Sequence, residues 1–198
     1  VKVTAGTANT KIRNGAISSG TGDGIRVERS NEAPGSITIQ QVAVLNNAGH
    51  GIVLYDGEGH TVTGCQVTGN SSAGNTEGAI AVYTACTIVT DNVIEGNTCL
   101  GLFADDALST APVSALQNWW GSSDGPGGVG PGSGDGVSEN VTYDPWMPFP
   151  STDDTDGDGL PDSWETAHFG NLDQDGSDDT DWDGWPNLAE YQANTLPD

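Results

Sequence analysis

The chain has 198 residues, enough for one domain of ordinary size and a second small one. It contains 28 acidic residues against 5 lysines and arginines, for a formal net charge of −23 at pH 7. This charge argues against nucleic acid and anionic membranes as partners, because both would repel the protein, and it favours hard cations. No apolar run approaches the roughly 20 residues that a membrane-spanning helix needs, so we expect no membrane insertion.

The N-terminus bears on how the chain is processed, and the cysteines bear on whether it contains disulfides. The chain begins with Val1 and shows no signal peptide, which indicates a processed mature chain or a fragment. Its three cysteines, Cys65, Cys86 and Cys99, are too few for a disulfide scaffold and match no zinc-binding spacing. We interpret them as buried apolar side chains, with one disulfide and one free thiol as the alternative.

Residues 1–120 are built from short β-branched alternations separated by glycine and asparagine, and they show no helical period. Five segments align without gaps, the last of them weakly, and their starts are 27, 23, 27 and 27 residues apart. The starts are Ile12, Ile39, Val62, Val89 and Leu116. Short strands of this kind cannot bury an apolar face alone, but coils stacked about 4.8 Å apart can. The repeat predicts a mainly β fold, a parallel β-solenoid of four to five coils.

The alignment also predicts which side chains stack in the interior and where the coils carry insertions. One inward column contains Ile17, Val44, Val67 and Ile94. A second column contains Gly15, Val42, Cys65, Asn92 and Trp119. Because the spacing is irregular, insertions are expected at turns near residues 28–35, 71–77 and 104–112.

Residues 121–150 are expected to form an exit loop and a cap. Eight of the sixteen residues 121–136 are glycine. A surface connection is favoured over a phosphate-binding loop, since no lysine or strand–loop–helix context accompanies the glycines. Large aromatic side chains near this loop are expected to cover the apolar face of the last coil, with a sugar-binding platform as the alternative. They are Trp119, Trp120, Trp146 and Phe149.

These repeats resemble those of right-handed parallel β-helix proteins, the pectate-lyase-like superfamily. The segment NWWGSSDGPGG at residues 118–128, followed by VTYDPW at residues 141–146, resembles the end of many such domains in secreted bacterial proteins. The resemblance covers roughly residues 1–150, and it implies a right-handed solenoid and a secreted or cell-surface location. It does not imply one activity, because the fold carries lyases, hydrolases, adhesins and structural fibres.

Residues 151–198 hold 14 acidic residues and no lysine or arginine, and one pattern occurs there twice. DTDGDGLPDSWE starts at Asp154, and DTDWDGWPNLAE starts at Asp179. A twelve-residue calcium loop takes oxygen ligands from positions 1, 3, 5, 7, 9 and 12, and needs glycine at position 6 for a sharp turn. Gly159 and Gly184 occupy position 6. A solvated acidic linker would predict neither this spacing nor the repeated glycine.

The predicted ligands therefore form two sets. The first set is Asp154, Asp156, Asp158, the carbonyl of Leu160, Asp162 and Glu165. The second set is Asp179, Asp181, Asp183, the carbonyl of Trp185, Asn187 and Glu190. We predict a small Ca²⁺-binding domain with two sites and short helices, and disfavour Mg²⁺ because it prefers a smaller octahedral shell with retained waters.

The two loops resemble the thrombospondin type 3-like calcium repeats that end many secreted bacterial proteins, and they share ligand spacing with EF-hand and dockerin loops. In such repeats neighbouring acids share ions. The resemblance therefore implies a third candidate Ca²⁺ site at Asp173, Asp175 and Asp178.

Three classes of function remain open from the sequence. A non-catalytic structural unit of an extracellular assembly ranks first, because a rigid solenoid and a metal-locked end are both indicated. A glycan-binding or adhesive module ranks second, since it would need a face of exposed aromatics, and Tyr55, Tyr83 and Phe103 look scattered through the coils.

A polysaccharide lyase or hydrolase ranks third. A lyase needs a base, for which only Arg13, Arg26 and Arg29 are available, with no obvious acidic cluster beside them. A hydrolase needs two carboxyl groups, for which Asp105-Asp106 is a candidate half with Asp91 as a neighbour on the next coil, although a solvated turn is the favoured interpretation of Asp105-Asp106. The histidines show no metal or triad spacing, and we expect His50 and His60 to be exposed.

The N-terminal end of the solenoid is expected to be open. The stretch VKVTAGT begins at once with alternating apolar residues, and no capping helix precedes it in this sequence. Unpaired strand edges template pairing with other chains, so upstream sequence or another molecule must cover this coil. If a neighbour's C-terminal domain covers it, the head-to-tail contact can grow a filament.

Overall fold

The computed structural model describes residues 1–4, 9–28, 35–55, 57–70, 77–106, 111–150, 154–156, 158–193 and 195–197. The three predicted insertions fall largely outside these described residues. The strands in chain order are β1 (Lys2–Thr4), β2 (Thr10–Ser18), β3 (Ile25–Glu28), β4 (Ile37–Leu45), β5 (Ile52–Leu54), β6 (Thr61–Thr63), β7 (Gln66–Thr68), β8 (Gly78–Val82), β9 (Ile88–Thr90), β10 (Val93–Glu95), β11 (Leu100–Ala104), β12 (Val113–Ser114), β13 (Pro126–Gly128), β14 (Gly134–Val137) and β15 (Val141–Thr142). Two helices follow, α1 (Asp162–His168) and α2 (Asn187–Ala193). Within the described ranges, neither helix has the length and apolar character needed to cross a bilayer.

The strands form two parallel sheets that wind around one core. The first sheet has the order β1-β3-β5-β8-β11-β14-β13. In the second sheet the long strand β2 pairs with β4, and β4 pairs with β6 along its first half and with β7 along its second half. Strands β9 and β10 continue these two halves, and β12 and β15 complete the sheet. The predicted mainly β fold, a parallel solenoid followed by short helices, is confirmed, with about four turns.

Each turn of the solenoid has corners at which the backbone takes a positive φ. One column of corners has φ between +53° and +60°, at Asn14, Gln41, Gly64, Asp91 and Gln117. A second column has φ between +52° and +66°, at Ser19, Asn46, Gly69 and Gly96. Glycine and asparagine tolerate this left-handed conformation best. Glycine or asparagine occupies five of these nine corners, and glutamine, aspartate or serine occupies the other four.

The predicted inward columns are confirmed except at Gly15 in the first coil, which is exposed, and at the last coil. Ile17 pairs with Val44, Val44 with Val67, and Val67 with Ile94. The placement of Trp119 beside Asn92 is wrong by one residue, because Trp119 pairs with Val93. This shift keeps the side chain of Asn118 next to Asn92, whose backbone N–H donates to Asn118 Oδ1 at 3.0 Å. It also places Trp120, instead of Trp119, fully inside the main core.

A column of amide side chains runs along the inside of the solenoid. Asn47 Nδ2 donates to Asn70 Oδ1 at 3.0 Å, and Asn70 Nδ2 donates to Asn97 Oδ1 at 3.3 Å. Asn97 Nδ2 donates in turn to Asp135 Oδ2 at 2.7 Å, and this carboxylate ends the column. The same acceptors also take the backbone N–H of Asn47, Asn70 and Asn97. Each side chain therefore bonds one coil to the next.

The glycine-rich segment contributes strands as well as a surface connection. β14 pairs with β11 and extends the first sheet, and β13 pairs with β14. A Cβ atom on Gly134 would lie 2.3 Å from the carbonyl oxygen of Trp120. Glycine is needed at position 134 because two backbones approach each other closely there, and a larger residue would prevent this approach.

The aromatic residues of the cap cover the end of the solenoid, as the sequence predicts. Trp120 lies in the main core and Trp146 packs against it, while Trp119 and Phe149 pack against a second core. This second core consists of Met147, Leu160, Trp164 and Tyr191. Two contacts reinforce the junction, from Gln117 Nε2 to the carbonyl of Gln192 at 2.8 Å and from the Tyr191 hydroxyl to Met147 Sδ at 3.3 Å. The C-terminal domain therefore shares its core with the cap.

The cysteines do not all follow the prediction of buried apolar side chains. Cys65 is buried, Cys99 is half-buried, and Cys86 is exposed. Among the described residues none of the three forms a disulfide, so the alternative of a disulfide is not supported. Cys86 lies in the turn before β9, with a φ of +56°, and is exposed there.

Candidate metal centre

The two acidic loops lead into the two helices in the same way. α1 begins at Asp162 directly after Pro161, and α2 begins at Asn187 directly after Pro186. Proline favours the start of a helix, because its φ is already helical and its missing N–H would be unpaired there. The glutamate at position 12 of each loop therefore lies near the start of a helix. Both glutamates are buried.

The backbone of the two loops makes the same internal hydrogen bonds. In each loop the N–H of position 6 donates to the carboxylate of position 1, and the N–H of position 7 donates to the carboxylate of position 5. These bonds are Gly159 to Asp154 at 3.2 Å, Gly184 to Asp179 at 3.0 Å, Leu160 to Asp158 at 2.8 Å and Trp185 to Asp183 at 2.8 Å. Gly159 and Gly184 have φ values of +96° and +99°, which glycine adopts readily. The repeated sequence therefore folds into a repeated geometry.

The first loop brings its five acidic side chains together. Carboxylate oxygens of Asp154, Asp156 and Asp158 lie within 4.8 Å of one another. A second group with the same spacing contains Asp156, Asp162 and Glu165. Because Asp156 belongs to both groups, the five carboxylates surround one small region. Oxygen ligands in this number suit a hard divalent cation.

Glu165 gives the strongest indication that this region binds a cation. Its side chain is 0% exposed, and neither carboxylate oxygen has a hydrogen-bond partner among the described residues. Burial, followed by the negative charges of Asp158, Asp156, Asp162 and Asp154, raises the pKa of Glu165 to about 7. A buried carboxylate without a partner is costly, and a bound cation would supply the missing one.

The second loop brings together three of its predicted ligands. Carboxylate oxygens of Asp179, Asp181 and Asp183 lie within 4.8 Å of one another. The Oδ1 atom of Asp179 is buried and has no hydrogen-bond partner in the described part of the chain. Glu190 is not in this group of carboxylates, although it is buried at the start of α2. The second site is thus less completely assembled than the first.

A threonine at position 2 contacts position 9 in both loops, which the ligand pattern did not predict. Thr155 donates its N–H to Asp162 Oδ1 at 2.7 Å and its hydroxyl to Asp162 Oδ2. These two bonds lower the pKa of Asp162. Thr180 Oγ1 donates to Asn187 Oδ1 at 3.0 Å in the second loop. The sequence feature that could have indicated this contact is the Asp-Thr-Asp triplet that starts each loop.

The position-7 residues differ between the loops in their side chains. Leu160 is buried in the second core, whereas Trp185 is 56% exposed and the neighbouring Trp182 is 87% exposed. Since position 7 supplies a backbone carbonyl, the side chain is free to vary.

The three acids predicted to form a third site lie between the two loops. Two of them, Asp175 and Asp178, accept hydrogen bonds within local turns. Asp175 Oδ1 accepts hydrogen bonds from the N–H and the hydroxyl of Ser177, at 2.8 and 3.0 Å. Asp178 Oδ2 accepts the N–H of Asp175 at 3.0 Å. Among the described residues, Asp173, Asp175 and Asp178 are not one of the groups whose carboxylates come together.

The aromatic residues of the solenoid form a row, so their interpretation as scattered is wrong. The rings of Tyr55 and Tyr83 stack with centroids 4.5 Å apart and planes 11° apart, and Phe103 follows Tyr83 at 5.8 Å. The guanidinium of Arg26 lies 4.6 Å from the centroid of Tyr55. Because Arg26 lies over the Tyr55 ring and Tyr83 stacks on it, the faces of Tyr55 are not free to stack on a sugar. The row joins neighbouring coils, as the amide column does.

Arg26 has acidic neighbours, contrary to the prediction. Its guanidinium lies 2.6 Å from Asp23 Oδ2 and 3.5 Å from Glu28 Oε1. Arg13 is exposed on β2, and Arg29 lies outside the described residues. A guanidinium held between two carboxylates and an aromatic ring stays charged, which does not suit a general base.

The other candidates for catalysis are also placed differently from the expectation. His50 and His60 are buried instead of exposed. His50 Nδ1 lies 2.7 Å from the carbonyl oxygen of Gly78, and His60 Nδ1 accepts the N–H of Ile37 at 3.0 Å. Asp91 lies at the corner between β9 and β10 of the second sheet, whereas Asp105 directly follows β11 of the first sheet. The two carboxylates therefore belong to different walls of the solenoid.

A protein-family model matches the chain, and the match supports the fold. The family is described as the right handed beta helix region, and its model matches residues 1–99, which is half of the chain. No curated protein and no solved structure matches. The matched residues include the first ten strands and end before the exit loop and the acidic domain. The chain therefore belongs to the right-handed β-helix family.

Proposed function

We propose that the protein is a secreted, non-catalytic structural unit in which a rigid β-solenoid carries a C-terminal domain that binds two calcium ions. The observation that carries the proposal is the buried, unpartnered carboxylate of Glu165 among four aspartates. The repeated loop geometry supports a related site in the second loop. Extracellular modules bind calcium at the high concentrations found outside cells, which suits loops whose acids are partly exposed.

Glu165→Gln is expected to weaken calcium binding at the first loop by at least about tenfold, because the position-12 carboxylate closes the coordination shell. Glu190→Gln is expected to do the same at the second loop. Isothermal titration calorimetry measures the number of sites and the affinity of each. Glu139→Gln serves as the control, since Glu139 is exposed and lies outside both loops. Equal binding by all three variants would show that the ligand assignment is wrong.

We further propose that copies of the protein associate head to tail. β2 forms an edge of the second sheet, pairing only with β4 among the described strands, and most of its nine residues are exposed. Lys11 and Arg13 are exposed along this edge. The C-terminal domain at the other end carries 14 acids and no lysine or arginine. The acidic C-terminal domain of one copy is therefore opposite in charge to the β2 edge of another copy. A contact between these unlike ends can continue into a filament.

Head-to-tail association predicts assemblies in millimolar calcium that dissociate in chelator, because the metal holds the shape of the acidic end. The double variant Lys11→Glu with Arg13→Glu is expected to remain monomeric, since it removes the charge complementarity. Analytical ultracentrifugation and electron microscopy measure the assembly. The control, Glu58→Lys with Glu139→Lys, changes the net charge by the same magnitude in the opposite direction at exposed sites elsewhere, and it is expected to assemble like the wild type. A monomer in calcium at high protein concentration would contradict the proposal.

A further inference from the structure

Two tryptophans are exposed on the second acidic loop. Trp182 is 87% exposed and Trp185 is 56% exposed, whereas the other four tryptophans of the chain are buried or half-buried. Among the described residues, neither indole belongs to the main core or to the second core. A tryptophan has about 150–250 Å² of surface to bury, so the two side chains together expose on the order of 300 Å². Exposed apolar surface of this extent commonly marks an interaction site.

The first acidic loop shows that the loop geometry does not need these tryptophans. It has Gly157 and Leu160 where the second loop has Trp182 and Trp185. Both loops nevertheless make the same hydrogen bonds, from position 6 to position 1 and from position 7 to position 5. Leu160 is buried in the second core, so only the second loop places a large apolar side chain in solvent at position 7.

The backbone of Trp182 has a conformation that disfavours a large side chain. Its φ is +65°, in the left-handed region, where a bulky residue is strained and glycine is not. Strain of this kind is found preferentially at functional sites. Because Trp182 is also largely exposed, burial within its own chain does not offset the strain. A contact with another molecule is the best explanation for tryptophan at this position.

The charges around the two rings select a cationic partner. Asp181 and Asp183 flank Trp182 in the sequence and are exposed. Together with Asp179 they bring three carboxylates within 4.8 Å of one another. The C-terminal domain has no lysine or arginine of its own to meet them. A cation placed over an aromatic ring is attracted by the π-system, most strongly by that of tryptophan, and the neighbouring carboxylates add to this attraction.

The exposed edge strand β2 carries cations that match this surface. Lys11 and Arg13 are exposed, and Ile12 between them packs against the main core, so the two basic side chains lie on the same outer face of the strand. Neither of them forms an ion pair with a described residue. Arg26 already makes a contact of the same kind within the chain, since its guanidinium lies 4.6 Å from the centroid of the Tyr55 ring.

We propose that Trp182 and Trp185 of one copy bind Lys11 and Arg13 of a second copy, and that the two indoles form the centre of the contact between unlike ends. This inference rests on the head-to-tail association proposed above and names the residues that make it. Each cation stacks on an indole ring while its charge meets the neighbouring aspartates. The indole surface is smaller than the roughly 800 Å² per partner of a standard interface, so flanking polar contacts complete it.

Trp182→Gly is expected to weaken association in millimolar calcium by about tenfold, as measured by sedimentation velocity. Its calcium affinity, measured by titration calorimetry, is expected to stay within about twofold of the wild type, because position 4 supplies no ligand. Leu196→Ala is the control and should associate like the wild type, since Leu196 is 68% exposed in the same domain but lies outside both loops. If Trp182→Gly associates like the wild type while Lys11→Glu with Arg13→Glu is monomeric, the role of the tryptophans is overturned and head-to-tail association stands.

A mixing experiment identifies what the tryptophans bind. The variant Trp182→Gly with Trp185→Leu keeps its basic edge, and the variant Lys11→Glu with Arg13→Glu keeps its tryptophans, so each alone is expected to be monomeric. Mixed in equal amounts, they can make one contact per pair, which predicts dimers that do not grow, whereas the wild type forms longer assemblies. Native mass spectrometry measures the masses of the species.

Three outcomes of the mixing experiment would overturn the inference. A mixture that stays monomeric while the wild type assembles would show that the tryptophans do not meet the basic edge. Dimers of the Lys11→Glu with Arg13→Glu variant alone would show that the tryptophans of two copies pair with each other. A wild type that stays monomeric would overturn this inference together with head-to-tail association itself.

Discussion

Chelation of calcium is expected to unfold residues 151–198 while the solenoid, strands β2 to β12, stays folded. The C-terminal domain holds 14 acids without a compensating lysine or arginine, and its core has few fully buried side chains. Two calcium ions would neutralise part of this charge and provide the missing partner of Glu165. In a domain this small, the free energy of metal binding is in effect the free energy of folding.

Hydrogen–deuterium exchange with and without chelator measures this effect by segment. Because Met147, Trp119 and Phe149 pack against the C-terminal domain, protection around residues 144–149 is expected to fall along with it, whereas β4 and β8 remain protected. Chelation of the Glu139→Gln variant should behave like chelation of the wild type. Equal exchange of the C-terminal domain in calcium and in chelator would show that calcium does not fold it.

Asn70→Ala is expected to lower the free energy of unfolding of the solenoid by about 3–5 kcal/mol. Asn70 is buried, and its Oδ1 accepts the backbone N–H of Asn47 at 3.1 Å and the Asn47 side-chain amide at 3.0 Å. Its own Nδ2 donates to the carbonyl of Val44 at 2.8 Å. Truncation removes these three hydrogen bonds, although Asn47 Nδ2 keeps a long contact with the carbonyl of Ile17 at 3.4 Å. Each buried polar group left unpaired costs about 1–3 kcal/mol.

Urea unfolding followed by circular dichroism measures the change, in calcium so that the C-terminal domain remains folded. Asn9→Ala provides the control, because Asn9 is exposed and its effect should stay within about 0.5 kcal/mol. If the two variants unfold at the same urea concentration, the amide column contributes nothing to the stability of the coils.

Much of the solenoid follows from local sequence patterns. The recurrence of Ile17, Val44, Val67 and Ile94 at equivalent places in the repeat predicted an inward column, because side chains alternate between the two faces of a strand. The glycines and asparagines between these segments predicted the bends. The calcium loops were also predictable as candidates, since all their ligands and both glycines fall within twelve residues.

The tertiary structure decided what depends on residues brought together from different coils. Asparagine between the short strands indicates turns, and only stacking of the coils shows that the side chains of Asn47 and Asn70 are bonded to each other. Tyr55 and Tyr83 stack for the same reason, although 28 positions separate them. The one-residue shift that buries Trp120 depends on Asn118 meeting Asn92. A pattern along the chain reports period and spacing, whereas these contacts depend on the register between coils, which is set by packing.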